Sequence, residues 1–333
     1  MLKENTKNIK FSDFSNLIIK RILNNIVWFI VLFFAIILSI INENFLSIAN
    51  FRNLLIQCVI MGILVLGESF CLLVGYFDLT IEATMLFSII FSAWLMVGTS
   101  KLRSGLDLPP SICIIIGLLL GVFIGFLQYL FIIKIKMNPF IASLGVQMTV
   151  LGFAILWLKG GSIYPLASQY RFLGDKEIGI IPYSVILLIV LYLIVNYLLN
   201  NTTFGRSVYA VGGNPTAARA SGINFGRTIM ICFMVSGFFA AVAGWVLAGR
   251  MNSASPLLSS GILFNVFAAA VIGGISLSGG RGNVLGAFGG VLLLVLINNA
   301  LNLMNVNPYW VQVARGLVII FALFIDSIKS RKT

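Results

Sequence analysis

The sequence predicts an all-α, polytopic membrane protein, because it is strongly apolar and its apolar residues fall into repeated long segments. Of its 333 residues, 59% are hydrophobic and only 10% are charged, and the mean hydropathy is +1.05. Soluble domains have charged residues at about a quarter of their positions. About 20 consecutive apolar residues suffice for a helix to cross the roughly 30 Å of bilayer hydrocarbon. The sequence supplies such segments repeatedly, so we expect about ten transmembrane helices.

The predicted spans are separated by polar connections of varied length, and the eighth span is short and rich in glycine. They cover residues 26–41, 54–74, 79–97, 112–133, 140–158, 181–199, 229–248, 262–275, 284–301 and 310–328. Residues 1–25 are predicted as an N-terminal segment, 26–328 as the transmembrane domain with a polar loop at 200–228, and 329–333 as a tail. No small-residue cleavage pattern follows the first apolar run, so we expect it to be a retained helix.

The positions of the basic residues predict an orientation for these spans. With both termini in the cytoplasm, fourteen of the 22 Lys and Arg residues are cytoplasmic, seven lie in external loops and one lies within a span. This two-to-one excess has the sense of the positive-inside rule. The net charge of +12 is thus explained by topology and contact with anionic lipid, and we expect no nucleic-acid partner. The charge placement thus predicts a multi-pass membrane protein with both termini in the cytoplasm.

Several kinds of chemistry are excluded by missing residues. The chain contains no histidine, which excludes imidazole zinc sites, histidine bases and Ser-His triads. It also lacks the G-x-x-x-x-G-K-[ST] loop that holds nucleotide phosphates, and the run from Gly279 to Gly282 reads as a tight turn. The four cysteines lie in apolar spans and are expected to be packing residues. We expect no metal, no cofactor and no enzymatic activity in this chain; any ATP would be hydrolysed by another subunit.

The polar stretch at 203–223, which reads TFGRSVYAVGGNPTAARASGI, has the features of a loop that carries a short helix. Gly212 and Gly213 are predicted to give a tight backbone path. Asn214 is a favourable N-cap, and Pro215 fits the first helical position. The helix is then predicted over 216–221, and Gly222 ends it. Because about two helical turns are unstable alone in water, we expect this helix to dock into a partner.

Three carboxylates lie at predicted membrane depth, where charged side chains are costly and are functional candidates by default. Glu68 falls within the second span, and Asp78 and Glu82 fall at the start of the third. If that helix begins by Asp78, the latter two share one face at its N-terminus, where Asp78 or Thr80 could cap it. Two interpretations of Asp78 and Glu82 stay open, capping or a direct role in a solute path. For Glu68, a cavity or a hydrogen-bonded helix contact is favoured over a lipid-facing position.

Four stretches, in the same order, resemble the permease subunits of bacterial ABC importers for ribose, arabinose, galactose and xylose. The 203–223 loop is similar to their cytoplasmic coupling loop, GYFDLTIEA at 75–83 to their G-G-I-D-L-S-V-G signature, and the NPF run at 138–140 to a span-opening segment. The glycine-rich region at 268–290 and the tail that follows are also similar. Glu82 departs from the sugar-type pattern, which has glycine there, and resembles the nucleoside-type permeases.

This resemblance implies the ABC importer permease fold, a location in the bacterial cytoplasmic (inner) membrane and a set of partners. These are an ABC ATPase subunit, a second permease copy or a related permease, an external solute-binding protein and membrane lipid. The implied function is import of a monosaccharide or similar small polar solute; a nucleoside-type permease and an ion-coupled secondary transporter are the alternatives. Candidate residues for the translocation path are Glu68, Asp78, Thr80, Glu82, Asn138 and Ser143. Candidate residues for coupling to the ATPase are Arg206, Asn214, Pro215, Ala217, Ala218 and Gly222.

Overall fold

The computed structural model describes residues 26–97, 105–259, 261–307 and several positions between 309 and 320, and this part of the chain is almost entirely helical. Its helices are α1 (Ile26–Ile41), α2 (Ile48–Leu73), α3 (Ile81–Met96), α4 (Pro110–Tyr129), α5 (Pro139–Trp157), α6 (Tyr183–Asn201), α7 (Thr203–Gly213), α8 (Pro215–Ala220), α9 (Phe225–Met251), α10 (Ile262–Ile272) and α11 (Val284–Leu303). The predicted segments 1–25 and 329–333, and most of the predicted span 310–328, lie outside the described residues.

Within that part of the chain, six helices are long and apolar enough to cross a membrane. They are Ile48–Leu73, Pro110–Lys134, Pro139–Trp157, Tyr183–Asn201, Phe225–Met251 and Val284–Leu303. Three further apolar helical stretches are shorter, at Val27–Ile41, Ile81–Met96 and Pro256–Ile272. The all-helical, multi-pass class is therefore confirmed, whereas the predicted number of about ten transmembrane helices is not.

Helix α2 begins earlier than the sequence pattern predicts. It starts at Ile48 because the Ser47 hydroxyl accepts a hydrogen bond from the Asn50 backbone N–H at 3.2 Å. A cap of this kind satisfies one of the N–H groups that a helix N-terminus leaves free. The first turns of α2 therefore carry polar residues, including Arg52, that the apolar pattern alone assigns to a loop.

Helix α9 lies at the centre of the bundle, where it packs against α2, α3 and α4. Close approach to α4 depends on small residues, because a side chain at Gly121 or Gly237 would collide with the facing backbone carbonyl group. Small residues at such crossings let membrane helices pack tightly. Helix α11 packs against α1, α2 and α10.

The two ends of the bundle have different connections. At one end, called the hairpin end, residues 159–182 form a long connection that contains a single helical turn, Phe172–Asp175, and strands β1 (Glu177–Ile178) and β2 (Ile181–Pro182). The strands pair antiparallel. At the opposite end, called the loop end, α7 packs beside the end of α2, and α8 packs against α7 and α9.

Two connections within the bundle are irregular, and each leads into a short helix. The 74–80 segment leaves α2 with Gly75 at φ 81° and enters α3, which has 16 residues. Residues 252–261 leave α9 with Asn252 in the left-handed conformation and enter α10, which has 11 residues. At 1.5 Å per residue, α10 is about 16 Å long, roughly half of the hydrocarbon thickness. Irregular backbone at membrane depth is tolerated where protein buries it.

Candidate functional site

A buried polar cluster lies where the 74–80 segment meets the middle of the bundle. Its members come from five elements and each is at most 1% exposed: Glu68 of α2, Asp78 and Thr80 of the 74–80 segment, Gln128 of α4, Ser143 of α5 and Ser236 of α9. Sequence analysis selects four of these six. Ser236 and Gln128 were missed, although Gln128 is a polar residue inside a predicted apolar span and could have been found on that ground.

Asp78 is the hub of the cluster. Its Oδ1 accepts hydrogen bonds from the Thr80 backbone N–H at 3.0 Å and from the Thr80 hydroxyl at 2.5 Å. Its Oδ2 accepts from the Ser236 hydroxyl at 2.7 Å. Both oxygens are thus used, so this carboxylate joins the 74–80 segment to α9. The interpretation that Asp78 or Thr80 caps α3 is wrong. The helix begins at Ile81, Thr80 makes no side-chain cap, and the backbone N–H that the Asp78 carboxylate accepts is that of Thr80, before the helix begins.

Glu68 approaches Asp78 from α2. Its Oε1 accepts from the Asp78 backbone N–H at 3.3 Å, while its Oε2 is buried and has no hydrogen-bond partner among the described residues. The side chain is fully buried, so the prediction that Glu68 avoids lipid is confirmed. The two ion pairs found in the described part of the chain, Arg52–Glu177 and Arg171–Asp175, both lie elsewhere. The cluster therefore offers surplus acceptor oxygens and no cation.

Ser143 and Asn138 illustrate two different outcomes for the α5 candidates. The Ser143 hydroxyl donates to the Phe77 carbonyl oxygen at 3.2 Å and lies 3.5 Å from Gln128 Oε1, so it belongs to the cluster. Asn138 is exposed at the start of α5, and its Oδ1 accepts from the Phe140 and Ile141 N–H groups at 3.0 and 3.3 Å. Asn138 therefore caps α5, and the structure does not bring it into the cluster.

Glu82 also lies apart from Asp78, because only Glu82 is within helix α3. Its Oε1 accepts from the Gly261 N–H at 2.9 Å and its Oε2 from the Leu263 N–H at 3.2 Å. These N–H groups are at the N-terminus of α10, so Glu82 caps a helix 179 residues away in sequence. The condition under which Asp78 and Glu82 would share one helical face, a helix that begins by Asp78, is therefore not met.

The loop end carries the second group of candidate residues. Asn214 caps α8 as predicted, since its Oδ1 accepts from the Thr216 and Ala217 N–H groups at 3.1 and 3.0 Å. Pro215 is the first helical residue and Gly222, at φ 80°, follows the last turn, also as predicted. The exposed candidates are Arg206, Asn214, Pro215, Ala217 and Gly222.

Ala218 is placed differently from its exposed neighbours. It is 4% exposed and packs into the core of its own chain, and the Arg219 guanidinium lies 4.0 Å from the centre of the Phe225 ring. Helix α8 is therefore anchored to the bundle by one face. The other face, which includes Ala217, is exposed.

Gly212 and Gly213 do not form the predicted loop; they are the last residues of α7. The reason is tertiary packing. Gly212 lies directly against the Leu73 carbonyl oxygen and the Gly280 backbone nitrogen, and Gly280 N–H donates to that same carbonyl oxygen at 2.8 Å. A side chain at Gly212 would not fit. We call Leu73, Gly75, Gly212, Gly279 and Gly280 the glycine junction.

The glycine junction joins three segments through main-chain atoms. Gly279 and Gly280 have φ of 82° and 70°, which confirms the predicted tight turn in this run. A Cβ at Gly279 would lie 2.8 Å from the Gly75 nitrogen. Tyr209 of α7 adds one side-chain contact, as its hydroxyl donates to the Gly282 carbonyl oxygen at 3.0 Å. Burial raises the pKa of that hydroxyl.

Comparison with known proteins identifies the family. Residues 50–323 match the family model described as branched-chain amino acid transport system / permease component. The chain belongs to this permease family. It is 37% identical to a ribose import permease protein of Bacillus subtilis over 298 residues, which cover 89% of this chain and 90% of the relative. No solved structure matches the chain.

Two further relatives have other sugars in their names. A fructose import permease protein of Rhizobium meliloti is 34% identical over 86% of this chain and 80% of its own length. An L-arabinose transport system permease protein of Escherichia coli is 34% identical over 92% of this chain and 90% of its own length. The resemblance seen in the sequence motifs is thus confirmed, and the permease is a multi-pass protein of the inner membrane. Among its described residues, no group of three or more Cys, Asp or Glu side chains could hold a metal ion.

Proposed function

We propose that the chain is the permease subunit of an ATP-driven importer of a monosaccharide, in which it forms half of the translocation path. One observation carries the proposal: helix α8 is capped by Asn214, anchored through Ala218, and exposes its remaining face at the loop end. A six-residue helix gains little stability alone in water. A fixed, exposed helix of small residues supplies a close-fitting surface for a partner.

The partner proposed for this surface is an ATPase subunit. The chain has no P-loop of its own, so ATP energy has to come from another protein. The distribution of Lys and Arg favours a cytoplasmic loop end and cytoplasmic termini, where ATP is available. Gly212 of the glycine junction lies at the end of α7, directly before α8 in the chain. A displacement of α8 by the ATPase would therefore be transmitted through main-chain contacts to α2 and to the turn at Gly279 and Gly280.

A monosaccharide fits the buried polar cluster as a solute. Glu68 and Asp78 supply carboxylate oxygens, and sugar hydroxyls are hydrogen-bond donors that such oxygens accept. In this structure the cluster is closed, since Asp78 is bonded to Thr80 and Ser236. Movement of the 74–80 segment away from α9 would free these groups for the solute. The related permeases are named for ribose, fructose and arabinose, which supports the same class of solute here.

Glu82 is the residue that favours a nucleoside as the solute, because it resembles the pattern of the nucleoside-type permeases at this position. Both of its oxygens are occupied by the N-terminus of α10. Its presence is thus accounted for without a nucleoside, and a sugar stays the proposed solute. An external binding protein would supply selectivity, and binding of ATP would shift the permease between outward-open and inward-open states.

The proposal is tested by reconstitution. The permease is placed in liposomes with its ATPase subunit and binding protein, and uptake of labelled ribose, arabinose, galactose, fructose and a nucleoside is measured with ATP or with a proton or sodium gradient. We expect ATP-dependent uptake of a monosaccharide. Uptake driven by an ion gradient without ATP would show a secondary transporter, and ATP-driven uptake of the nucleoside alone would correct the solute.

A further inference from the structure

Glu82 makes contacts that connect two irregular parts of the bundle. It lies in the first turn of α3, directly after the 74–80 segment, and its two oxygens accept one N–H each from Gly261 and Leu263. A helix N-terminus carries partial positive charge and unpaired N–H groups, so a carboxylate there is stabilising. The N-terminus of α10 has no side-chain cap from its own N-cap residue, Gly261. Glu82 supplies that cap from another segment.

Two other contacts join the same pair of segments. The ring of Phe77 lies 5.9 Å from the ring of Phe267 of α10, measured between centroids. Beyond the C-terminus of α10, Gly279 lies against Gly75. The stretch 75–82 is therefore attached to α10 and its following turn at the start, the middle and the end. Glu82 is the one charged contact among these three.

Both alternatives left open by the sequence, a cap or a direct contact with solute, are addressed by this geometry. A carboxylate whose two oxygens each hold a backbone N–H at 2.9 and 3.2 Å has its acceptors aimed at α10. If Glu82 turned towards a solute, the N–H groups of Gly261 and Leu263 would lose the carboxylate that caps α10. Loss of such a cap destabilises a helix.

We propose that Glu82 is a positioning residue, which holds α10 against the 74–80 segment so that the two move as one unit during transport. This inference rests on the proposed function and deepens it, because the 74–80 segment carries Asp78 of the buried polar cluster. Glu82 acts on the path through the position of these segments and does not touch the solute.

The first test needs no solute. Phe77→Cys and Phe267→Cys are introduced in a background without the four native cysteines, and membranes are treated with a short, membrane-permeant bis-methanethiosulfonate. Cross-linking is expected to be fast and nearly complete. With Glu82→Ala added, the yield at a fixed time should fall several-fold, and Glu82→Gln, which keeps one acceptor oxygen, should give an intermediate yield. An unchanged yield in Glu82→Ala would overturn the inference.

The second test separates positioning from solute contact. Glu82→Ala alone is expected to lower ATP-driven uptake about tenfold, on the scale that loss of a helix cap implies. The Phe77–Phe267 cross-link should leave uptake intact when Glu82 is present and should restore it in Glu82→Ala. Failure of an efficient cross-link to restore uptake would show that Glu82 acts on the solute itself. Loss of uptake on cross-linking the Glu82 protein would show that the two segments must separate.

The two proposals fail in distinguishable ways. Absence of ATP-driven uptake by the unaltered permease contradicts the proposed function, whereas the cross-linking yields still decide whether Glu82 holds α10 in place. Variants that lower the amount of folded protein are recognised by gel filtration in detergent. If Glu82→Ala is one of them, cross-linking yield and uptake are compared between Glu82→Gln and the unaltered permease, because Glu82→Gln changes only one non-hydrogen atom of the side chain.

Discussion

Asn50 and Asn299 exchange two amide hydrogen bonds across the interface between α2 and α11. Asn50 Nδ2 donates to Asn299 Oδ1 at 3.1 Å, and Asn299 Nδ2 donates to Asn50 Oδ1 at 2.6 Å. Both side chains are buried. Polar pairs of this kind join helices inside membranes.

Replacing one member of this pair should destabilise the permease. In Asn299→Leu the Asn50 amide loses its reciprocal partner, which costs about 1 to 3 kcal/mol. In the double variant Asn50→Leu and Asn299→Leu neither side-chain amide is stranded, and the Phe45 carbonyl oxygen loses only the bond that Asn50 Nδ2 donates at 2.9 Å, so the melting temperature in detergent should recover part of the loss. A double variant that melts at the sum of the two single losses would show that the pair is not coupled.

Gly212 and Gly213 at the end of α7 are a matched pair of positions at which the role of the glycine junction can be tested. Gly212→Ala would force a methyl group against the Leu73 carbonyl oxygen, whereas a Cβ at Gly213 meets Gly280 only at an ordinary 4.0 Å. We expect Gly212→Ala to keep the ATPase subunit bound but to lose most ATP-driven uptake. Gly213→Ala should transport at close to the normal rate. Equal uptake by the two variants would show that the glycine junction does not transmit coupling from the ATPase to the bundle.

The open face of α8 is expected to be the docking surface for the ATPase subunit. Ala217→Trp adds bulk on that face, where overpacking costs about 1 to 3 kcal/mol. Co-purification of the ATPase, or stimulation of its hydrolysis by loaded binding protein, should fall. Asn201→Trp, which is exposed at the same end but outside α8, is the control and should retain both. Normal docking and uptake with Ala217→Trp would contradict the assignment.

Asp78 is expected to be intolerant of a neutral replacement. In Asp78→Asn the amide oxygen can keep the two Thr80 hydrogen bonds and the amide nitrogen can face the Ser236 hydroxyl, so the fold should persist. Uptake should nevertheless drop at least about tenfold if the charge of Asp78 serves the path, a penalty in the range of lost charge-assisted hydrogen bonds. The control is Ser236→Ala, which removes one hydrogen bond and keeps the charge. Full uptake by Asp78→Asn would exclude Asp78 as a path residue.

The orientation can be checked by labelling single cysteines from outside. In a background without native cysteines, Thr216→Cys at the loop end should resist an impermeant maleimide added to whole cells or spheroplasts. Leu257→Cys, at a position that is 84% exposed in the 252–261 connection, should react. Ser330→Cys, which lies outside the described residues, should resist as well. Labelling of Thr216→Cys but not of Leu257→Cys would invert the topology.

Local chemistry explains which features could be predicted from the sequence. Caps at Asn138 and Asn214 depend on residues two or three positions away, and the apolar spans depend on composition, so both are visible in the chain itself. Ala218 looks equivalent to Ala217 in the sequence, and only packing on the core distinguishes them. Gly212 and Gly213 have low helix propensity and are nevertheless helical, and at Gly212 the end of α2 and the turn at Gly280 leave room for no side chain.

The parts of the site that could not be predicted depend on contacts between distant segments. Glu82 and Gly261 are 179 positions apart, and Asp78 and Ser236 are 158 apart. No periodic pattern encodes such partners. The sequence therefore indicates that Asp78 and Glu82 are unusual at membrane depth, but it does not reveal that one joins a cluster and the other caps a helix.

The main-chain character of the glycine junction has a consequence for how such permeases can diversify. Because Leu73, Gly212 and Gly280 meet through carbonyl and amide atoms, their contact does not depend on which side chains line the bundle above. Residues around the solute can therefore be substituted one at a time without changing the main-chain contacts that connect the bundle to the ATPase subunit. Laboratory evolution towards a new cargo should therefore accumulate substitutions around Asp78 and leave the junction untouched.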